Sequence, residues 1–242
     1  RAPSGCAWRC SAPATTAAWS TGAAPALPAD SGAAYGYSIA RDGTLTDSNG
    51  PADWASRTFA TPGGPNDVIC AIDAAGDGIP DCAEQPGSAF AGLPLYAWGA
   101  RAGQRDVFIE VDYMISSDEG ITPRCEALDL MKAKFAARNI AIHFDVGSRC
   151  PGHDLGGGQA VTFAAGIAMG DAGDGRANFY AYKAAYFDPA RRQVFHYFLF
   201  ANSQNANGTE GSSGVAELNG NDGVISLGAW GLNSATLADK TL

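Results

Sequence analysis

The chain has 242 residues, with 16 basic and 25 acidic side chains and a formal net charge of −9. It is long enough for one domain or two small ones, and its 46 % hydrophobic and 17 % charged residues exclude a charge-driven disordered chain and a coiled coil. The acidic balance argues against a nucleic-acid surface, which needs clustered Lys or Arg. No apolar run approaches the ~18 residues that would cross a bilayer.

Residues 1–35 are rich in Ala, Pro, Ser, Thr and Gly and lack apolar periodicity, so Trp8 and Trp19 are expected to pin an irregular arm. Turn signals at Asp42-Gly43, Asn49-Gly50 and Gly63-Gly64-Pro65 read residues 36–66 as loops with short strands at best. An acidic, Gly-punctuated segment follows from Asp67 to Glu84. A boundary near residue 100 is expected, with a loop-rich region over 1–100 and a more regular one over 101–242.

The pattern then sharpens. Asp106–Ile115, D-V-F-I-E-V-D-Y-M-I, is β-branched, aromatic and partly alternating, so it predicts a strand. Pro123–Arg138 predicts a helix: Leu128, Met131, Phe135 and Cys125 repeat at helical spacing, Thr122 can cap and Pro123 suits the first turn. Asn139–Val146 predicts a second strand, and strand–helix–strand in so short a span implies a parallel crossover pair. Residues 147–176 read as loop. Gln193–Ala201 predicts a third, strongly apolar strand, Asn202–Gly214 a polar loop, and Val224–Leu227 a short fourth strand. The run Leu237–Leu242 looks like the approach to a helix.

The six cysteines, Cys6, Cys10, Cys70, Cys82, Cys125 and Cys150, form no C-x-x-C pair. Proximity suggests bonds Cys6–Cys10, Cys70–Cys82 and Cys125–Cys150, against the alternative of free buried thiols. Three disulfides imply an oxidising compartment. Arg1, with neither a methionine nor an apolar signal core, fits a processed secreted protein. Asn207-Gly208-Thr209 is a glycosylation sequon.

Asp73-Ala74-Ala75-Gly76-Asp77-Gly78-Ile79-Pro80-Asp81-Cys82-Ala83-Glu84 carries the strongest chemical signal. It spaces Asp73, Asp77, Asp81 and Glu84 as a twelve-residue calcium loop does, with Gly78 at the sharp turn and the Ile79 carbonyl in ligating position. Ala75 removes one usual ligand, and Pro80 argues against a flanking helix pair. The alternative is an acidic turn held by a Cys70–Cys82 bond. Asp171 and Asp174, in Asp171–Asn178, form a weaker candidate for a second calcium ion, with Arg176 as a competing charge. Asn219, Asn221 and Asp222 offer further oxygens.

Glu110 and Asp112 lie two apart on one strand, hence on one face, and Asp145 near the end of the next strand can join them. They fit a cation-supporting cluster better than a glycosidase pair, because carboxyls on one strand stand too close and too parallel to bracket a bond. His143, His153 and His196 show no paired metal-ligand spacing, and no G-x-S-x-G elbow, Walker loop or dinucleotide fingerprint is present.

Four segments, Asp106–Tyr113, Asn139–Gly147, Gln193–Ala201 and Ser212–Gly228, together resemble the first part of a secreted bacterial zinc metalloprotease of the metzincin-like kind. The resemblance spans roughly residues 67–242 and rests on running similarity rather than a catalytic signature. It implies an α/β (α+β) fold class: a mixed, largely parallel twisted sheet with a crossover helix, a metzincin-like N-terminal subdomain, preceded by a loop-rich calcium-binding segment. It also implies an edge strand followed by a helix bearing H-E-x-x-H. No H-E-x-x-H occurs in the 242 residues, so the zinc-binding segment is expected beyond Leu242.

On that reading the chain supplies the scaffold of a zinc-dependent endopeptidase, with Ca2+ in this chain and Zn2+ brought by the missing segment. Val224, Ile225, Ser226 and Leu227 are expected to be the edge that pairs with a peptide or protein substrate. A C-terminal fragment of the same precursor is an expected partner; nucleic acid and a membrane span are not. The alternative is a noncatalytic, calcium-stabilised extracellular binding module.

Overall fold

A computed structural model describes residues 38–41, 47–48 and 53–232. The expected N-terminal arm, the Cys6–Cys10 bond and the helical approach at 237–242 lie outside the described residues. The chain divides into two compact units, Arg1–Ala60 and Thr61–Leu242. In the first, β1 (Ser38–Arg41) pairs antiparallel with β2 (Trp54–Arg57). The Asp53 carboxylate anchors the intervening chain by accepting from the Ser48 amide and hydroxyl at 2.8 and 2.5 Å.

The second unit is built on a long strand, β3 (Arg105–Met114). The helix α1 (Cys125–Ala136) leads from it to β4 (Ile140–Asp145), which lies parallel to β3. Two short strands, β5 (Ala160–Val161) and β6 (Ile167–Ala168), precede β7 (Ala177–Asn178), the helix α2 (Phe179–Tyr186) and β8 (Phe195–Ala201). The strands β9 (Gly214–Ala216) and β10 (Asp222–Ser226) complete the set. The main sheet runs β4-β3-β8-β10-β9, and β5 joins β3 beyond the end of β4. All its pairings are parallel except β10 with β9.

Parallel strands carry apolar side chains on both faces because both are covered. On one face Val111, Ile142 and Phe144 pack with Leu128 of α1, and Phe198 and Phe200 border them. Alternation puts Phe108 and Phe195 on the other face, ring centroids 5.2 Å apart, with Trp98 edge-on to Phe195 at 5.8 Å. Phe179 and Phe187 cover Tyr197 on that side at 5.6 and 5.2 Å.

Disulfides join Cys70 to Cys82 and Cys125 to Cys150. The second ties the first residue of α1 to the loop after β4. Only Leu128 of α1 is buried; Met131 and Phe135, expected on the same inner stripe, are 41 % and 40 % exposed. Pro123 also falls outside the helix, because Arg124 takes the N-cap and Thr122 closes the preceding 3-10 turn. Asn139, read as the start of a strand, has φ +57° and turns the chain from α1 into β4.

The expected edge at Val224–Leu227 needs correction. Strand β10 ends at Ser226 and is inner, held by β8 on one side and β9 on the other, so its backbone groups are taken. The edge on this side is β9, which starts at Gly214, the last residue of the stretch read as a polar loop.

Candidate functional site

The acidic loop folds around Asp73, whose carboxylate accepts from the amides of Gly76, Asp77 and Gly78 at 2.7, 3.4 and 2.9 Å. Gly76 and Gly78 have φ of +69° and +92°, conformations a side chain resists. Asp81 accepts from the Ala74 amide at 2.8 Å. These two carboxylates shape the loop through its own backbone, and the Ile79 side chain sits in the core.

Asp77 and Glu84 point elsewhere. Asp77 accepts from the Ile79 amide at 2.9 Å and from the Asp106 amide at 2.6 Å, which stitches the loop to the start of β3. Glu84 is 1 % exposed, and neither of its carboxylate oxygens has a partner. Asp77, Glu84 and Asp106 bring carboxylate oxygens within 4.8 Å of one another. Asp106 also accepts from the Arg101 amide at 3.0 Å and lies 2.6 Å from His143 Nε2. Burial, then the Asp106 carboxyl and the charges of Asp77, Asp106 and Asp81, push Glu84 up to about 8. Burial raises Asp77 as well.

Asp106 was missing from the sequence-derived ligand set. It lies beyond the loop, and its only signal was an acid opening an apolar strand. The weaker candidates do not assemble. Asp171 accepts from the Gly173 amide at 3.1 Å, whereas Asp174 is engaged by the Arg176 side chain at 2.9 Å, which lowers its pKa. Asp222 is paired with Lys183 at 2.5 Å. Among the described residues, the Asp77, Glu84 and Asp106 group is the one set of three or more ligating side chains so gathered.

Glu110, Asp112 and Asp145 do come together, in the interior of the sheet. Arg191 Nη1 lies 2.6 Å from both Glu110 Oε2 and Asp145 Oδ2, and Arg191 Nη2 donates to the Leu155 carbonyl. Asp145 also accepts from the amides of Gly147, Leu155 and Gly157. Asp112 accepts from Tyr197 Oη at 2.7 Å and from the Gln159 amide at 2.8 Å. A Cβ on Gly157 would stand 2.2 Å from Arg191 Nη1, so the loop approaches this cluster only as glycine. Burial pushes Glu110 up to about 7 despite Arg191, and raises Asp112 despite its hydrogen bonds. With its oxygens engaged by the protein, this is a buried polar strut rather than an acid–base pair open to substrate.

His143 touches the group only through Asp106, and His153 lies 3.0 Å from Asp129. The three-carboxylate group holds neither histidine nor cysteine, so the described residues do not fit a zinc centre and no hydrolytic step is assigned to them.

At the sheet edge, the Ser213 carbonyl accepts from the Ser226 amide and the Glu217 amide donates to the Asp222 carbonyl. Antiparallel alternation then turns the Gly214 and Ala216 backbone groups outward. Val215 and Ala216 are exposed.

No family model matches the chain, and neither a curated protein nor a solved structure matches it.

Proposed function

We propose that this chain is the scaffold half of a secreted zinc-dependent endopeptidase of the metzincin-like kind. The observation that carries this reading is the sheet order β4-β3-β8-β10-β9, parallel throughout apart from one antiparallel edge. It supports the order that the resemblance implies in its first part, a parallel strand–helix–strand unit followed by further strands and an edge strand, with the inner strand β10 added after that edge. The two disulfides support an oxidising compartment.

The role of this chain is to bind and orient. An extended peptide adds to the outer side of β9, with the backbone groups of Gly214 and Ala216 giving affinity and Val215 contributing apolar contact. Zinc, when bound by the H-E-x-x-H segment supplied from outside these 242 residues, would polarise the scissile carbonyl and activate water.

The test is to read the coding frame past Leu242 and assay its full product on a peptide substrate. An H-E-x-x-H motif and chelator-sensitive hydrolysis are expected. Ala216→Pro removes one outward N–H without touching the β10 ladder, so it should lower kcat/KM at least tenfold with an unchanged melting temperature. A stop codon after Leu242 with no copurifying fragment would sink the proposal and leave the noncatalytic module.

A further inference from the structure

We propose that Asp77, Glu84 and Asp106 hold one calcium ion that fastens the acidic loop to the start of the central strand. The proposal stands apart from the peptidase reading and changes the ligand set that spacing suggests. Both Asp73 oxygens and Asp81 Oδ1 accept from loop amides. The ion's carboxylates instead come from the loop, from the 3-10 turn Asp81–Glu84 and from β3.

Three carboxylates within 4.8 Å of one another would by themselves be an ordinary acidic cluster. Glu84 makes the difference. It is buried to 1 % exposure and brings a carboxylate oxygen into the cluster, and neither of its oxygens has a hydrogen-bond partner. Buried carboxylates are normally paired or hydrogen-bonded, because stripping water from an uncompensated charge is costly. Among the described residues, none of the three makes an ion pair with Lys or Arg. Arg105, at the head of the same strand, gives its Nε to the Ala75 carbonyl instead, at 3.3 Å.

The donors are all oxygens, which selects a hard cation. An adjoining cavity of about 410 Å³, lined in part by Asp77 and Asp106, leaves room for water. Calcium takes six to eight oxygens in flexible geometry, so three carboxylates and waters suit it; magnesium demands a stricter octahedron. Asp106 is also braced by His143, which fixes the orientation of one ligand.

The full 242-residue chain, disulfides intact and freed of metal with chelator, should be titrated with CaCl2 by calorimetry and followed by melting, with MgCl2 and ZnCl2 in parallel. One calcium per chain and a rise in melting temperature are expected. Glu84→Gln and Asp106→Asn should each weaken calcium binding at least tenfold, and Asp171→Asn should leave it unchanged. Glu84→Gln replaces a buried acid that has no hydrogen-bond partner with a neutral side chain of the same shape, so its metal-free form should melt no lower than metal-free wild type. That control separates a lost ligand from a damaged fold. Absence of binding at millimolar calcium, preference for zinc or magnesium, or calcium binding untouched by Glu84→Gln and Asp106→Asn would each overturn the proposal. No arm reads peptide hydrolysis, so the two proposals fail independently.

Discussion

Arg191 meets two buried carboxylates with a single guanidinium, so the group it forms with Glu110 and Asp145 carries one excess negative charge when both acids are ionised. Glu110 answers by holding its proton up to about 7. An acid whose folded pKa lies above its unfolded value of 4.5 binds more protons in the native state. Its contribution to stability is therefore fully present below about 4.5 and is lost as pH rises toward 7. Asp112, raised in the same direction, adds to the trend. Glu84, pushed up to about 8, adds a decline over the same range, so denaturant titrations between pH 4.5 and 7.5 should show stability falling, and Glu110→Gln should make the fall shallower without removing it. Arg191→Met should cost about 3–5 kcal/mol at pH 7, since it strands two buried acids. Little of this was legible in advance. The one-face pairing of Glu110 and Asp112 followed from strand alternation, but nothing in Pro189–Gln193 announced that Arg191 would reach back across the sheet.

Among the elements, α1 and β9 teach opposite lessons. The helical repeat of Cys125, Leu128, Met131 and Phe135 correctly signalled a helix, yet it overstated how much of that helix is buried. Leu128→Ala should cost about 2–5 kcal/mol by denaturation, and Met131→Ala or Phe135→Ala under about 1 kcal/mol, because only Leu128 is enclosed. Cys125 is fixed by its bond to Cys150, which closes a chain separation of 25 residues. Loop entropy alone makes that bond worth about 3.5 kcal/mol, and the Cys125→Ser/Cys150→Ser pair should show the loss in the same assay. Strand β9 escaped detection because three residues, Gly-Val-Ala, hold too little periodicity to register. The strand it pairs with was visible, so the edge was assigned one strand too far inward. Strand β8, by contrast, has so regular an alternation of buried and half-buried residues that its run of aromatics could be read directly. The short helix α2 was missed because its start depends on one capping side chain, Asn178, accepting from the Tyr180 amide at 2.9 Å.

Taken whole, the second unit is organised around β3, which pairs with β4, β5 and β8 and opens on the residue that meets the acidic loop. Hydrogen exchange should accordingly find the β3 and β8 amides the slowest to open and those of β9 among the fastest, since β9 is short, exposed and paired on one side. The strand–helix–strand core was legible because it is built from local periodicity. The joining of Asp106 to a loop some thirty residues earlier was not, because no local pattern encodes a tertiary meeting.

Strand β3 also shapes how the chain meets the ribosome. Phe108 lies opposite Phe195, almost ninety positions later in the sequence. At roughly 5–20 residues per second, synthesis leaves one side of β3 without its neighbour for on the order of ten seconds. A naked run of Val, Phe and Ile would invite stacking with other nascent copies. Glu110 and Asp112 interrupt that run, so the acids that are costly to bury in the finished sheet act as gatekeepers against aggregation while it is still incomplete.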